Sequence, residues 1–255
     1  MLRKATLGSS VFLSLLALSW PIWLPANLAT SFNQGVTPVI LMVLVPLGLV
    51  GTLQQLLATA NNPRYFSILA ALTALAMVVR VFGAGVAGIE PIWAVVIITA
   101  VALGSEAGFV VGVAAIALSA IATGGIGPWL PYQMAVAGAV GFFAGLLHKL
   151  QSPHRLVLIL TGFILSLGFG WLMNLWFWPT AIGVSEVVAF DPGAAPSDRL
   201  QNWIRFNLLT SLGFDLPRAV LTSLILGLVG NRLISAIGRA SRTGVRDTES
   251  VSDRP

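Results

Sequence analysis

Eight long apolar runs, with charged or turn-forming residues gathered at their ends, constrain this chain more than any other feature. They cover about residues 7–24, 37–58, 65–84, 89–104, 106–123, 128–148, 155–177 and 207–237. At ~20 residues per crossing, such runs suit helices spanning the ~30 Å hydrocarbon core of a bilayer. Backbone groups in lipid must be satisfied internally, which leaves helix bundles or closed barrels. The runs lack the period-2 alternation of a barrel, so the fold class expected is an all-α integral membrane protein. Composition adds one point: only 9% of residues are charged, against about 25% in a soluble domain.

Lysine and arginine placement gives a topology. With the N-terminus inside, eight spans put Arg3, Lys4, Arg64, Lys149, Arg155, Arg232, Arg239, Arg242, Arg246 and Arg254 on the cytoplasmic side. Arg80, Arg199, Arg205 and Arg218 fall outside or in the outer half. This positive-inside bias predicts both termini in the cytoplasm. The net charge of +5 therefore reads as topology, not nucleic-acid binding.

Two runs depart from a simple span. The first follows Met1-Leu2-Arg3-Lys4, as a signal peptide would. Its apolar stretch continues through Trp20-Pro21-Ile22-Trp23-Leu24, and Ala26-Asn27-Leu28 fits a cleavage site poorly, so an uncleaved helix is expected, with Trp20 and Trp23 at the outer interface. The last run would reach ~46 Å as one helix. Pro217 suits a first helical turn and Asp215 a cap, which predicts an interfacial stretch at 200–214 and a membrane helix at 216–237. A plausible boundary at Ala60-Asn61-Asn62-Pro63-Arg64 divides the chain into two N-terminal helices (1–62), a six-helix core (63–238) and a charged, disordered tail (239–255).

Enzyme signals are weak. There is no cysteine, no phosphate-binding G-x-x-x-x-G-K-[ST], no H-E-x-x-H and no G-x-S-x-G. His148 and His154 share one short loop and lack the further ligands a metal needs. Neither a catalytic residue, a metal site nor a cofactor is expected.

The loop Gly124-Gly125-Ile126-Gly127-Pro128-Trp129-Leu130-Pro131-Tyr132-Gln133-Met134 offers more. Its glycines, Gly127 among them, permit close approach. Trp129 and Tyr132 present flat faces with polar edges, and Gln133 both donates and accepts. The loop suits either an interfacial turn or a cover over a flat ligand. Arg80, Glu90, Asp215 and Arg218 map to the same outer side, where charges at membrane depth face a cavity or a partner. Asp215 and Arg218 are also spaced to pair on one helix. Asn174, amid Trp171, Trp176 and Trp178, needs a partner in lipid, from a neighbouring helix or a ligand. Ser67, Ala70, Ala71 and Ala74 form a small-residue face that allows close helix contact, internal or with another subunit.

From about Tyr65 to Arg242, the order of features resembles the substrate-binding S component of energy-coupling factor (ECF) vitamin transporters. The resemblance rests on Arg80, GSEAGFVVGVAAIALS (104–119), GPWLPYQM (127–134), WLMNLWFWP (171–179) and SLGFDLPRA (211–219). It departs from the family pattern at Ala120, Leu130 and Thr222, which bears on substrate identity. The resemblance implies a six-helix core with both termini inside, in a prokaryotic cell membrane. It implies a vitamin bound in the outer half by Arg80, Glu90, Gly127, Trp129, Tyr132, Gln133, Asn174, Asp215 and Arg218. Its partners would be a coupling transmembrane protein, contacted through Ser67, Ala70, Ala71 and Ala74, and ATP-binding subunits. GPWxPxQM variants resemble subunits assigned to cobalamin, which points to cobalamin or a related corrinoid, with riboflavin as another flat candidate. The N-terminal helices lie outside the resemblance, as docking elements or inert additions. Two other classes stand beside this one: a membrane enzyme acting on lipid or isoprenoid, and a structural membrane partner.

Overall fold

The structure is a computed structural model that describes residues 2–25, 27–28, 36–59, 63–83, 88–150 and 153–252. Residues 60–62, at the expected domain boundary, and Ala26 of the weak cleavage site lie outside the described residues, as do residues 84–87. Every described element is helical: α1 (Leu2–Leu18), α2 (Trp20–Trp23), α3 (Thr37–Thr59), α4 (Pro63–Gly83), α5 (Ile92–Leu103), α6 (Ser105–Thr123), α7 (Leu130–Ala144), α8 (Arg155–Phe177), α9 (Pro196–Phe206), α10 (Leu212–Ile225) and α11 (Asn231–Ser252). Short 3-10 segments at Gly145–Leu150, Trp178–Thr180 and Glu186–Val188 join some of them.

Six helical stretches are long and apolar enough to cross a membrane: Thr37–Gln54, Pro63–Gly83, Ser105–Thr123, Leu130–Leu150, Arg155–Thr180 and Pro196–Ser241. Thr6–Leu18 and Ile92–Leu103 are apolar but shorter. The shortness of α5 follows from its place. All of its residues from Ile92 to Ala102 are buried except the half-buried Val95, so the surrounding helices enclose it.

The closest helix pair is α6 with α7. A Cβ added to Gly108 would strike Gly141 backbone, one added to Gly141 would strike Gly108 backbone, and one added to Gly112 would strike the Ala137 carbonyl. Without a side chain at these positions the two backbones approach closely, the small-residue logic of membrane helix pairs. Gly104, at φ +103°, reverses the chain between α5 and α6. At the far end of α6, Gly124 takes the left-handed conformation and Gly125 N–H returns to Ala120 O at 2.9 Å, a glycine-terminated helix end.

The N-terminal helices are part of this core. Leu7, Val11 and Leu18 of α1 and Leu41 and Val45 of α3 are buried in one cluster with α5, α6 and α7. Trp20 is buried and packs edge-on against Phe190, which corrects its expected place in an interfacial belt, while Trp23 remains exposed.

The last run also differs from expectation. The path from Pro196 to Ser241 is one continuous helical stretch, widened into π-helical turns at Asn207–Ser211 and Leu226–Gly230. Pro217 lies inside α10 rather than at its start. Asp215 is no cap: its carboxylate accepts from Ser211 Oγ at 2.7 Å and from Arg218 Nη1 at 2.5 Å. With that carboxylate satisfied inside the helix, no break is needed there. α11 is helical through Ser252.

Candidate functional site at one end of the bundle

The ionisable and amide residues singled out from sequence gather at one end of the bundle, where α4, α6 and α8 finish and α5, α7 and α10 begin. Two hydrogen-bonded groups form there.

The larger is built around Arg218, whose side chain is 9% exposed. Its Nη2 meets Glu90 Oε1 at 3.0 Å, and its Nη1 meets Asp215 Oδ1 at 2.5 Å. Glu90 Oε2 in turn accepts from Trp93 Nε1 at 2.8 Å. One cation is thus held between two carboxylates, one from its own helix and one from the loop before α5. Asp215 is nearly fully buried, whereas the Glu90 side chain is 30% exposed, so Glu90 is the acid of this group that faces outward. The Arg218 guanidinium also lies over the Phe169 ring at 5.5 Å, and Phe169 packs on Trp93 with centroids 3.9 Å apart. Gly170 makes the packing possible, since a Cβ there would collide with the Asp215 carboxylate.

The group continues through Ser211 to Asn174, whose Nδ2 donates to Ser211 Oγ and to Asn207 Oδ1, both at 2.8 Å. Asn207 Nδ2 closes the chain on Trp203 O at 2.7 Å. Asn207 and Ser211 bound the first π-helical turn, a local irregularity of the kind often met at functional sites. Of the two partners that sequence left open for Asn174, the structure supplies a neighbouring helix.

The second group is smaller. Arg80, half-buried at the end of α4, donates through Nη1 to Ser119 Oγ at 2.8 Å and through Nη2 to Gln133 Oε1 at 3.2 Å. Both partners are neutral. Gln133 N–H bonds Trp129 O, so the arginine sits about one helical turn from the Trp129 loop.

The aromatic residues complete this end. Trp129 is 37% exposed, with its indole N–H on Gly125 O at 3.2 Å and its ring edge-on to Trp176 at 6.0 Å. Tyr132 is buried and lies near Trp176, with centroids 6.1 Å apart, so it supports the rim from beneath instead of offering a free face. Gly127 is covered by the Trp129 indole, which a Cβ would strike; its role is to admit that ring. Trp178 is no belt anchor either. It is buried against Phe190 and Phe206, with Nε1 donating to Val188 O at 2.7 Å.

Sequence inspection missed Ser119, Trp93, Phe169, Gly170, Asn207, Ser211 and Arg199. Buried Arg199 donates to Pro21 O at 3.1 Å and Leu24 O at 2.7 Å, tying α9 to the carbonyl end of α2. The exposure of Ser67, Ala70, Ala71 and Ala74 decides a further question. All four face away from the bundle, while Leu69, Thr73 and Ala76 of α4 point inward. Toward the opposite end, His148 Nδ1 lies 2.8 Å from Val101 O, and His154 Nδ1 accepts from Leu156 N–H at 3.3 Å. These bonds give both histidines local structural roles.

Chemically, the end that holds Arg80 and Glu90 can recognise a ligand through two partly exposed ionisable groups, an amide and an aromatic face, over a floor of buried ion pairs. No protein-family model, curated protein or solved structure matches the chain.

Proposed function

We propose that this protein is a membrane-embedded substrate-capture subunit of an ATP-driven energy-coupling factor importer, with a vitamin as its cargo and cobalamin or a related corrinoid as the favoured one. One observation carries the proposal: Arg80, Glu90, Gln133, Asn174 and the α10 pair Asp215 and Arg218, drawn from five segments, form two hydrogen-bonded groups at the end of an apolar bundle that also carries the exposed Trp129. Charged groups at membrane depth that share a cavity or partner are the usual mark of a substrate path. Few convergent polar groups on an apolar scaffold are the usual form of a small-molecule site.

In this proposal the chain crosses a prokaryotic cell membrane eight times, with N- and C-termini in the cytoplasm and the Arg80 end outside. Vitamin enters under the Trp129 loop and the 178–202 segment. The outward small-residue face of α4 docks a coupling transmembrane protein, and ATP-binding subunits on that protein drive release inward. The subunit makes and breaks no covalent bond. The sequence motifs that resemble S components support this assignment together with the exposure of Ala70 and Ala74.

The test is uptake of labelled vitamin by intact cells expressing this chain with and without a coupling protein and its ATPases. The proposal expects accumulation only when all components are present. Accumulation of no vitamin tested, cobalamin and riboflavin included, with the chain correctly inserted, contradicts it.

A further inference from the structure

A second feature lies on the lipid-facing side, away from the Arg80 end. A cavity of about 260 Å³ opens between α8 and α10, lined by Arg155, Ile159, Leu160, Phe163, Val220 and Leu224 among others. Leu160, Val220, Leu224 and Leu228 along it are exposed. Its buried hydroxyl, Ser223 Oγ, is occupied by Ile159 O at 3.0 Å, so the floor behaves as apolar surface. From Arg155 to Phe163 the groove runs ~12 Å along α8, which fits within one leaflet of a ~30 Å hydrocarbon core.

Charge marks one end of the groove only. Arg155 is exposed, belongs to the first turn of α8, and has no carboxylate within ion-pair distance among the described residues. Arg232, also exposed, follows Leu228 by four residues on the other wall. No acidic residue occurs between Glu106 and Glu186, or between Asp215 and Asp247. Among the described residues, the basic end of the groove therefore has no anion from either wall. The amino end of a helix adds positive partial charge at the same place.

We infer that this groove is a site for an anionic phospholipid, its phosphate on Arg155 and one acyl chain along Ile159, Phe163 and Leu224. The occupant follows from the two halves of the site: an apolar trough on the bundle's outer surface, and at its end a guanidinium with no carboxylate partner among the described residues. A zwitterionic lipid would fill the trough but bring its own cation to Arg155. The inference rests on the membrane-spanning character of the helices and not on the vitamin proposal.

The experiment is native mass spectrometry of the detergent-purified full chain with phosphatidylglycerol and phosphatidylcholine of matched acyl chains. Phosphatidylglycerol is expected to be retained about fivefold better, the scale of one basic residue beside an anionic headgroup. Arg155→Gln should bring the two lipids level, and Leu224→Trp, which fills the trough from an exposed position, should lower retention of both. Equal retention by the wild type, or an undiminished preference in Arg155→Gln, overturns the inference. So does displacement of the lipid by inorganic phosphate, which would assign Arg155 to a soluble anion. A dimer abolished by Leu224→Trp would assign the groove to a second copy and overturn it too.

Discussion

Arg218 illustrates what a single buried cation does in this bundle. Moving charges out of water is costly, and the cost is met only when pairing is close and the remaining hydrogen-bond capacity is filled. Glu90 and Asp215 provide that pairing, and Ser211 takes the second oxygen of Asp215. Removing the cation alone leaves two carboxylates facing each other without compensation. Arg218→Met is accordingly expected to destabilise the folded protein by about 3–5 kcal/mol, read as a lowered melting midpoint in detergent. A wild-type midpoint would mean that the triad contributes nothing to the fold. Much of this was legible beforehand: the i,i+3 spacing of Asp215 and Arg218 implied their pairing. Glu90 could not be joined to them from sequence, because it lies far away in the chain and only tertiary packing brings it to Arg218. Ser119, Asn207 and Ser211 were equally invisible, since a hydroxyl or amide in an apolar run carries no sign of which helix it faces.

At the scale of the helix, α4 shows how one element divides its surface. Leu69, Thr73 and Ala76 pack inward, while Ser67, Ala70, Ala71 and Ala74 form an outward stripe. Because the stripe is exposed among the described residues, enlarging it should spare the fold. Ala70→Leu or Ala74→Leu is expected to abolish uptake in cells while leaving vitamin binding by the isolated chain unchanged, compared in parallel assays. Loss of both would place the stripe in internal packing. Helix positions were the most legible level, since each apolar run became a helix close to its expected bounds. The exception was the 207–237 run. Pro217 and Asp215 look like a helix start by local rules, yet α10 runs straight through them. Capping chemistry gave way to pairing along the helix: Asp215 finds Arg218 and Ser211 about one turn away, and a proline inside a membrane helix is tolerated where neighbours satisfy the freed groups.

For the whole molecule, the open question lay with the N-terminal helices. The family resemblance begins near Tyr65 and leaves them as docking elements or inert additions. Leu18, Leu41 and Val45 are nonetheless buried in the common core, and Arg199 binds α9 to Pro21 and Leu24. Large apolar side chains lost from a packed interior each cost about 2–5 kcal/mol, so a chain lacking residues 1–62 should aggregate or elute heterogeneously in detergent. A monodisperse, vitamin-binding fragment starting at Pro63 would show these helices to be additions after all.

The central claim is that the end of the bundle bearing Arg80, Glu90 and Trp129 receives a vitamin. The most direct check is equilibrium titration of the detergent-purified chain with a vitamin panel that includes cobalamin and riboflavin, run beside Trp129→Ala. One saturable, stoichiometric ligand is predicted, a corrinoid first, bound roughly tenfold more weakly by Trp129→Ala through loss of aromatic stacking, with the melting midpoint unchanged. A folded wild-type protein that binds no member of the panel would contradict the account.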